Sequence, residues 1–304
     1  MKGLNYYMKS IISAAVTPYT IDGRLDLESA RKLYEFNIKN GCDGFFILGS
    51  MGEWALLTRE EKIELATCAC EVIGKKAKVL LGVSDTGLSN IFKNMEMLQH
   101  LSHTYWTVIL PGSWAGPACP VNYVHRIADA ADRPIYLYYI PGFNGVTINI
   151  AQFKDILSHP NVAGLKNSSG EIRTRKELFF MKETLNFEHY EGEEWSIDEA
   201  LAGGCDGAVA GFGSAGTKLI KHIANCVDSG DYSAARAAQH MLIDIFHKVY
   251  GDEARWWNIG QKYALKYMGI ISTDVSRVED QQILPEENKA TIQSCIDVYR
   301  DWLV

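Results

Sequence analysis

The residue of this sequence best suited to covalent chemistry is a lysine at the end of a short apolar run. Lys166 closes the run Val162–Lys166 and is followed by Asn167-Ser168-Ser169-Gly170. An apolar strand that stops on a lysine places one amine where a sheet or barrel opens into its loops. Apolar surroundings remove water from an amine and favour its neutral form, whose lone pair can attack a carbonyl carbon. We interpret Lys166 as a candidate Schiff-base nucleophile, although strand-end lysines often only pair with a carboxylate.

Two further apolar runs end on groups that can assist such a lysine. The run Tyr136–Pro141 ends with phenols, and the hydroxyl of Tyr138 can give and take a proton beside an imine. The turn Gly49–Glu53 ends the other run, where glycines let backbone N–H groups face an anion and the Ser50 hydroxyl adds a donor. An anion cradle beside an imine-forming lysine suits a 2-oxo acid, in which a carboxylate adjoins a ketone. A core tyrosine and an ordinary tight turn are the alternative interpretations.

These residues can act together only in a fold that brings the ends of distant strands close to one another. The pattern of apolar runs in the sequence predicts such a fold. Eight β-rich apolar runs alternate with helical patterns, namely Ile11–Val16, Gly44–Leu48, Lys78–Val83, Tyr105–Leu110, Ile135–Ile140, Val162–Lys166, Phe187–Glu191 and Asp206–Ala210. Strict alternation predicts βαβ units with a parallel sheet, and eight units match a (β/α)₈ TIM barrel of the α/β class. The carboxyl ends of barrel strands meet at one mouth, so we expect the candidate groups to converge there. Tyr139 should point away from Tyr138, towards the helices.

The helical patterns predict how the chain is divided. They are Arg59–Ile73, Ile172–Leu185 and Ser214–Asp228 within the barrel, and Tyr232–Val249, Arg255–Met268 and Pro285–Trp302 after it. We predict a catalytic barrel over residues 1–230 and a C-terminal helical region over 231–304 that packs on it as three helices. A doubly wound open sheet is the alternative, because Gly211–Gly216 has the Gly-x-Gly-x-x-Gly spacing of a dinucleotide site. That turn follows the last strand, where a barrel can instead bind phosphate.

Composition argues against several classes of function. The 304 residues carry a formal net charge of −7, which disfavours non-specific binding to nucleic acid or to an anionic membrane. No apolar run is long enough to cross a bilayer, and the first residues lack the pattern of a secretory signal. The seven cysteines include no Cys-x-x-Cys pair and suggest buried thiols in a reducing cytosol, while the eight histidines form no ligand set. We expect a cytoplasmic enzyme without a metal site.

At the candidate residues the chain resembles the dihydrodipicolinate synthase / N-acetylneuraminate lyase family of Schiff-base (β/α)₈ enzymes. The family's Gly-Thr/Ser-Thr-Gly-Glu turn, Tyr-x-x-Pro motif and Gly-x-Lys strand correspond to Gly49–Glu53, Tyr138–Pro141 and Gly164–Lys166. The family's Gly-Ala-Asp-Gly of strand eight looks like Gly204–Gly207, and Asn258–Leu265 is similar to a family helix. The resemblance spans nearly the whole chain.

The resemblance implies roles for these residues. Lys166 would attack the ketone of pyruvate or a related 2-oxo acid, and the iminium would serve as electron sink for making or breaking a C–C bond. Tyr138 would shuttle the proton with help from the Ser50 hydroxyl, and the backbone of Ser50 and Met51 would hold the carboxylate. The resemblance also implies that no metal and no organic cofactor is needed. The only partners implied are a small 2-oxo acid and further copies of the chain, in a homotetramer built as a dimer of dimers.

Departures from the family pattern narrow the range of reactions that we expect of this chain. Met51 replaces a second hydroxyl residue, and Pro111-Gly112-Ser113-Trp114 stands where the synthases carry a tyrosine that reaches the neighbouring subunit's site. The proton relay is therefore shortened or rerouted, and the sequence does not say how Met51 and Ser113 complete it. Phe143 stands where the synthases place an arginine for the carboxylate of aspartate semialdehyde. A phenyl ring cannot pair with a carboxylate, so we do not expect dihydrodipicolinate synthesis.

The resemblance also suggests which residues meet the rest of the substrate. These candidates are Ser168, Gly192, Glu194, Phe143 and Gly211. Trp195 occupies a position where the sialic acid lyases have a carboxylate, and Gly211 and Phe212 stand where hydroxyls are usual. The pocket is thus partly acidic and partly aromatic, which suits a neutral or hydroxylated tail. Glu193 and Glu194 are alternatively solvated loop charges.

The sequence therefore predicts a class I aldolase, a carbon–carbon lyase that cleaves or condenses a pyruvate-derived 2-oxo acid through an imine on Lys166. Its reaction would be like that of N-acetylneuraminate lyase or of a 2-keto-3-deoxy sugar acid aldolase. A dehydratase of a 2-keto-3-deoxy sugar acid would use the same imine but eliminate water. A non-catalytic 2-oxo-acid sensor is the other alternative, which the loss of a hydroxyl at Met51 favours and the retention of Lys166 and Tyr138 disfavours.

Overall fold

The computed structural model describes residues 8–112, 116 and 118–304. Within the segment after the fourth strand, Pro111 and Gly112 are described, whereas Ser113 and Trp114 lie outside the described residues. The shortened or rerouted proton relay expected from Met51 and Ser113 therefore stays a prediction.

Eight parallel strands close into a barrel in sequence order, which confirms the predicted (β/α)₈ TIM barrel. The strands are β1 (Ser10–Ala14), β2 (Gly44–Ile47), β3 (Lys78–Gly82), β4 (Tyr105–Ile109), β5 (Ile135–Tyr139), β6 (Val162–Asn167), β7 (Glu188–Glu191) and β8 (Gly207–Ala210). The barrel closes where β8 pairs with β1, from Ser10 opposite Gly207 to Ser13 opposite Ala210. The alternative of an open doubly wound sheet is therefore wrong.

Alternating side chains divide the strands between the barrel interior and the helix layer. Ile12, Phe46 and Tyr138 belong to the cluster that fills the barrel, together with Tyr136 and Tyr190. Neighbouring strand residues belong instead to the apolar layer beneath the helices. The expectation for Tyr139 is confirmed, because its ring packs edge-on against Phe153 outside the barrel, with centroids 5.0 Å apart. Strand residues that face the helix layer cannot reach the barrel mouth, so only the alternate, inward-facing residues can contribute to a site there.

Nine helices of the described chain connect or follow the strands of the barrel. They are α1 (Leu27–Lys39), α2 (Arg59–Ile73), α3 (Leu88–Leu98), α4 (Pro120–Ala130), α5 (Pro141–Asn144), α6 (Ile150–Leu157), α7 (Ile172–Met181), α8 (Ile197–Gly203) and α9 (Gly213–Asp228). The predicted bounds of α2 are confirmed at both ends. A capping box between Thr58 and Glu61 begins this helix, and Gly74 ends it with φ +51°.

Four more helices of the described chain follow the barrel, where the sequence predicted three. They are α10 (Tyr232–Tyr250), α11 (Ile259–Tyr267), α12 (Glu286–Val298) and α13 (Arg300–Leu303). The helix predicted from Arg255 begins only at Ile259, because residues 255–258 form turns that follow the positive φ values of 53° and 56° at Glu253 and Ala254. The predicted Pro285–Trp302 helix is interrupted at Tyr299, which caps both α12 and α13. Side chains of α9 to α13 share one apolar cluster with β1 and β8.

The glycine-rich turn Gly211–Gly216 packs the start of α9 against the barrel. A Cβ atom at Gly213 would lie 2.8 Å from the Cα atom of Ser13, and one at Gly216 would lie 2.5 Å from the Phe212 ring. These two glycines therefore provide room for β1 and for a buried phenyl ring. Close packing accounts for the spacing that resembled a dinucleotide-binding turn.

The remaining expectations from composition concern thiols and membranes. Six of the seven cysteines are free and buried, as predicted, whereas Cys119 is free and exposed. None of the helices in the described part of the chain is long and apolar enough to span a membrane.

Candidate active site

The carboxyl ends of the strands open into a cavity of about 330 Å³, and all of the predicted site residues line it. These residues are Ser50, Met51, Tyr138, Phe143, Lys166, Ser168, Gly192, Glu194 and Gly211. The rest of the described lining is Ala14, Ile140, Glu193, Tyr250 and Trp257. Residues from seven different segments thus meet at one place, which is what a barrel mouth allows.

Three larger hollows lie elsewhere on the described protein. The smallest of them, of about 450 Å³, lies beside the segment that precedes β3, and the other two are larger still. One, of about 620 Å³, lies at the amino ends of the strands, where Lys78 pairs with Glu188 and Lys182 pairs with Asp206. The other, of about 560 Å³, lies outside the barrel, between α8 and α10. Because the amines of the largest hollow are engaged by carboxylates, we take the smaller cavity around Lys166 as the candidate active site.

Lys166 is a buried amine without an ion-pair partner among the described residues. The residue is only 5% exposed, and its Nζ atom lies 4.1 Å from the ring centroid of Tyr138 and 5.8 Å from that of Phe46. The register of the sheet places Tyr138 directly beside Lys166 on neighbouring strands β5 and β6. The ordinary alternative, a strand-end lysine paired with a carboxylate, does not describe this environment. An unpaired amine in a cavity wall is accessible to a carbonyl carbon.

The turn between β2 and α2 presents hydrogen-bond donors at the cavity wall. The Ser50 hydroxyl is buried and has no partner, and the backbone N–H groups of Ser50 and Met51 find no acceptor within the described chain. The turn is closed by two backbone bonds, from Glu53 N to Ser50 O at 3.0 Å and from Trp54 N to Gly49 O at 3.4 Å. Donors left free beside a buried amine can hold a carboxylate, as the sequence predicted.

Two predicted site glycines are needed because larger residues would fill the cavity wall. A Cβ atom at Gly192 would lie 2.0 Å from the Oγ atom of Ser168 and 2.6 Å from the Cε atom of Lys166. A Cβ atom at Gly211 would lie 2.7 Å from a carboxylate oxygen of Glu194. The Ser168 hydroxyl is itself buried without a partner among the described residues. The loop after β7 therefore approaches Lys166, and the loop after β8 approaches Glu194, more closely than any side chain at these positions would permit.

Glu194 lies in the cavity and is not a solvated loop charge. Its Oε1 atom accepts a hydrogen bond from Phe212 N at 2.7 Å, and its backbone oxygen accepts one from Gln239 Nε2 at 2.9 Å. Burial raises the pKa of the Glu194 carboxyl to about 7, against the opposing effect of the Phe212 hydrogen bond. At neutral pH this carboxyl can therefore either donate or accept a hydrogen bond with a hydroxylated substrate.

The raised pKa of Glu194 predicts how stability changes with pH. Between its ordinary pKa of 4.5 and the value of about 7, the folded protein holds a proton that the unfolded chain has released. The stabilisation is complete below the lower pKa and is lost as pH rises through the upper one. Relative to the variant Glu194→Gln, the free energy of unfolding should fall by on the order of 2 kcal/mol between pH 5 and pH 8. Urea titrations of both proteins at the two pH values measure this difference, and parallel behaviour would contradict the burial of the carboxyl.

A second cluster of potential ligands lies behind the loop that follows β7. His189, Glu191 and Cys205 are buried, and their ligand atoms lie within 4.8 Å of one another, a grouping that their sequence spacing does not reveal. However, Arg175 Nε already lies 2.7 Å from Glu191 Oε2, and two backbone N–H groups of the loop donate to Oε1 at 3.0 and 2.9 Å. With its carboxylate engaged in this way, Glu191 supports the loop that carries Glu194, and we assign no metal to the cluster.

Two aromatic lining residues come from the C-terminal region and were not predicted. Tyr250 ends α10, and Trp257 lies just before α11. Prediction from strand ends finds only residues of the barrel loops, so it had no means of finding Tyr250. The one signal for Trp257 is its place next to Asn258, where the family-like segment begins.

Proteins similar to this chain are known over nearly its whole length. A sequence model of the Dihydrodipicolinate synthetase family matches residues 7–294. A 4-hydroxy-tetrahydrodipicolinate synthase of Bifidobacterium longum (strain DJO10A) is 23% identical over 270 residues, which cover 88% of this chain and 87% of that protein. A 4-hydroxy-tetrahydrodipicolinate synthase 2 of Streptomyces coelicolor is 29% identical over 240 residues, which cover 78% of each.

Solved structures show the same fold. The dihydrodipicolinate synthase of Bacteroides thetaiotaomicron superposes with a TM-score of 0.88 at 23% identity, covering 97% of this chain and 100% of that one. YagE, a prophage protein of Escherichia coli K12 solved in complex with pyruvate, also gives a TM-score of 0.88, at 24% identity, covering 96% of this chain and 98% of that one. At these identities the structures support the architecture of the barrel and its C-terminal helices.

Proposed function

The chain belongs to the Dihydrodipicolinate synthetase family, and we propose that it is a class I aldolase acting on a pyruvate-derived 2-oxo acid with a neutral, hydroxylated tail. The observation that carries this proposal is the environment of Lys166, a buried amine in the cavity wall with aromatic faces beside it and no described ion-pair partner. Pyruvate as the keto portion is supported by two structural neighbours that were solved with it, YagE and a synthase of Acinetobacter baumannii.

In the proposed reaction the amine forms a covalent bond with the substrate. The Nζ atom of Lys166 attacks C2 of the 2-oxo acid, and loss of water leaves an iminium ion. Its positive nitrogen withdraws electrons, so the bond between C3 and C4 can break, releasing an aldehyde and leaving an enamine. Protonation of the enamine and hydrolysis then release pyruvate and restore the amine. In the reverse direction the enamine attacks the aldehyde carbon.

We assign to Tyr138 the proton transfers that this reaction requires. The ring of Tyr138 adjoins the lysine amine, with its centroid 4.1 Å from Nζ, and its hydroxyl belongs to a residue that lines the same cavity. We propose that the phenol takes a proton from the hydroxyl at C4 during cleavage and returns it to the enamine carbon. The unpartnered hydroxyl of Ser50 assists this transfer, since Met51 offers none. The free N–H groups of Ser50 and Met51 hold the substrate carboxylate.

The charges of the cavity support a neutral tail. Lys166 is the single cation among the described lining residues, and forming the imine consumes its amine. Glu193 and Glu194 add acidic groups to the same wall, which would repel a second carboxylate on the substrate. Phe143 lies at the rim, 66% exposed, and contributes no charge. The proposed reaction therefore differs from the dihydrodipicolinate synthesis that names the relatives, because that reaction needs a cation for the semialdehyde carboxylate.

The proposal is tested by trapping the imine. The purified protein is incubated with pyruvate and sodium borohydride, digested and examined by mass spectrometry. We expect a reduced pyruvate adduct on the peptide that contains Lys166 and on no other lysine peptide. If pyruvate binds, as shown by calorimetry, but leaves this peptide unlabelled, the imine mechanism is wrong.

A substrate panel then assigns the reaction. N-acetylneuraminate and several 2-keto-3-deoxy sugar acids are incubated with the protein, and released pyruvate is measured alongside any dehydrated product. Release of pyruvate with an aldehyde supports the aldolase. A dehydrated 2-oxo acid without pyruvate release would reassign the protein as a dehydratase, and binding without turnover would reassign it as a sensor.

A further inference from the structure

We infer that helix α11 is a positioning element of the active site, which holds the loops after β2 and β8 through a buried polar face. This inference rests on the proposed function, because it concerns the turn assigned there to the substrate carboxylate. The face consists of Asn258, Gln261 and Lys262, which lie at the start of α11 with spacings of three and four residues and therefore on one side of the helix. Each of them is 0% exposed.

Two members of this face bind backbone oxygens of the loops that line the cavity. Asn258 Nδ2 donates to Met51 O at 3.3 Å, in the loop after β2. Gln261 Nε2 donates to Gly211 O at 3.1 Å, in the loop after β8. The orientation of the Gln261 amide is in turn set by the Tyr250 hydroxyl, which donates to its Oε1 atom at 2.8 Å. One helix thus joins both sides of the cavity mouth.

The third member forms a buried ion pair with the end of the β2 loop. Lys262 Nζ donates to the carboxylate of Glu53, and both side chains are completely buried. Lys262 Nζ also donates to Val275 O at 2.9 Å, and Arg277 N donates to Glu53 Oε2 at 2.8 Å. Removing two charges from water is expensive, and apolar side chains of similar volume are often equally stabilising. We therefore attribute to this pair a positional role in addition to its contribution to folding.

The turn that these contacts hold is conformationally strained. Leu48 and Glu53, which lie at its two ends, are non-glycine residues with left-handed φ values of 59° and 57°. Such residues persist where the surrounding contacts over-determine the backbone. Asn258 contacts Met51, which lies between these two ends, and Lys262 contacts Glu53, which is one of them. Loss of the ion pair should let the turn relax and displace the free N–H groups of Ser50 and Met51.

The test removes both charges together, so that no uncompensated charge stays buried. In the double variant Lys262→Met/Glu53→Gln, the glutamine can still accept from Arg277 N. The matched control is Lys221→Met/Asp43→Asn, which removes a partly buried ion pair of 2.7 Å at the amino end of β2, opposite the cavity. For each protein, borohydride labelling of Lys166 is measured against pyruvate concentration, together with the melting temperature.

A positioning role predicts that pyruvate affinity changes while labelling capacity does not. We expect the double variant to need about tenfold more pyruvate for half-maximal labelling, with the same maximum, because a small displacement of the anion donors weakens binding. The control should stay within about twofold of the wild type at a comparable loss of melting temperature. An unchanged half-saturating concentration in the double variant would overturn the inference, whatever its melting temperature.

Two further outcomes are distinguished by design. If the double variant does not fold, Asn258→Ala removes one neutral hydrogen bond to Met51 O and is measured in the same way. A rise of about threefold in the half-saturating concentration supports the inference, and no rise overturns it. If the wild-type protein is not labelled at all, the proposed function fails and the inference fails with it. Normal labelling with an unaffected variant would remove only the role of α11.

Discussion

Replacing Lys166 by methionine should abolish the trapped pyruvate adduct and lower kcat by about 10⁴-fold or more, since every step of the proposed reaction passes through this amine. Methionine has a similar length and is apolar, so it should pack among the rings of Phe46 and Tyr138 that now face the lysine. The measurements are turnover of whichever panel substrate releases pyruvate and mass spectrometry after borohydride treatment.

Stability provides the control for this variant. Because the amine has no ion pair with a described residue and the site is buried, removing it should leave the melting temperature unchanged or raise it. A second variant, Lys166→Arg, keeps the positive charge but offers no comparable nucleophile, and it should be equally inactive. Turnover close to that of the wild type in either variant would exclude the imine as an intermediate.

Replacing Tyr138 by phenylalanine should lower kcat by about 10²- to 10⁴-fold while leaving the pyruvate adduct detectable. The phenyl ring retains the contact with Lys166 Nζ, now 4.1 Å from the ring centroid, and the edge-on contact with Phe46. Only the hydroxyl is lost, so proton transfer should slow and the lysine should stay in place. Single-turnover kinetics with a cleaved substrate, followed by borohydride trapping, measure both consequences in one sample.

The neighbouring residue supplies a matched control. Tyr139 has the same side chain on the same strand, but it lies outside the barrel against Phe153. Tyr139→Phe should therefore keep kcat within a few-fold of the wild type. Equal losses in both variants would indicate that the strand, and not the Tyr138 hydroxyl, had been disturbed. Normal turnover in Tyr138→Phe would remove the proposed role of its phenol.

The two variants together separate binding from chemistry. Lys166→Met should lose the adduct and the turnover, whereas Tyr138→Phe should lose mainly the turnover. The double variant Lys262→Met/Glu53→Gln should differ from both, because it raises the pyruvate concentration needed for half-maximal labelling and leaves the maximal labelling unchanged. The three proteins thus give three distinct patterns of labelling and turnover, which one labelling assay combined with a turnover assay can tell apart.

Much of the fold was predictable because local patterns agree with it. Buried parallel strands appear as apolar runs, and the bounds of α2 follow from the capping residue Thr58 and from Gly74. The predicted helix bounds were wrong where the backbone leaves the regular helical conformation. Residues 255–258 form turns instead of the first turn of α11, and no composition signal marks the interruption at Tyr299.

The sequence by itself determined the barrel and the group of strand-end residues around Lys166, because the carboxyl ends of parallel strands in a closed barrel must meet at one mouth. Only the tertiary structure decided that Glu194 accepts a hydrogen bond from Phe212 N, that Tyr250 and Trp257 complete the cavity, and that Lys262 pairs with Glu53. These relations join residues far apart in the chain, and Lys262 and Glu53 are 209 positions apart. Local periodicity carries no information about such distances, since it reports which face of an element is buried but not which partner buries it.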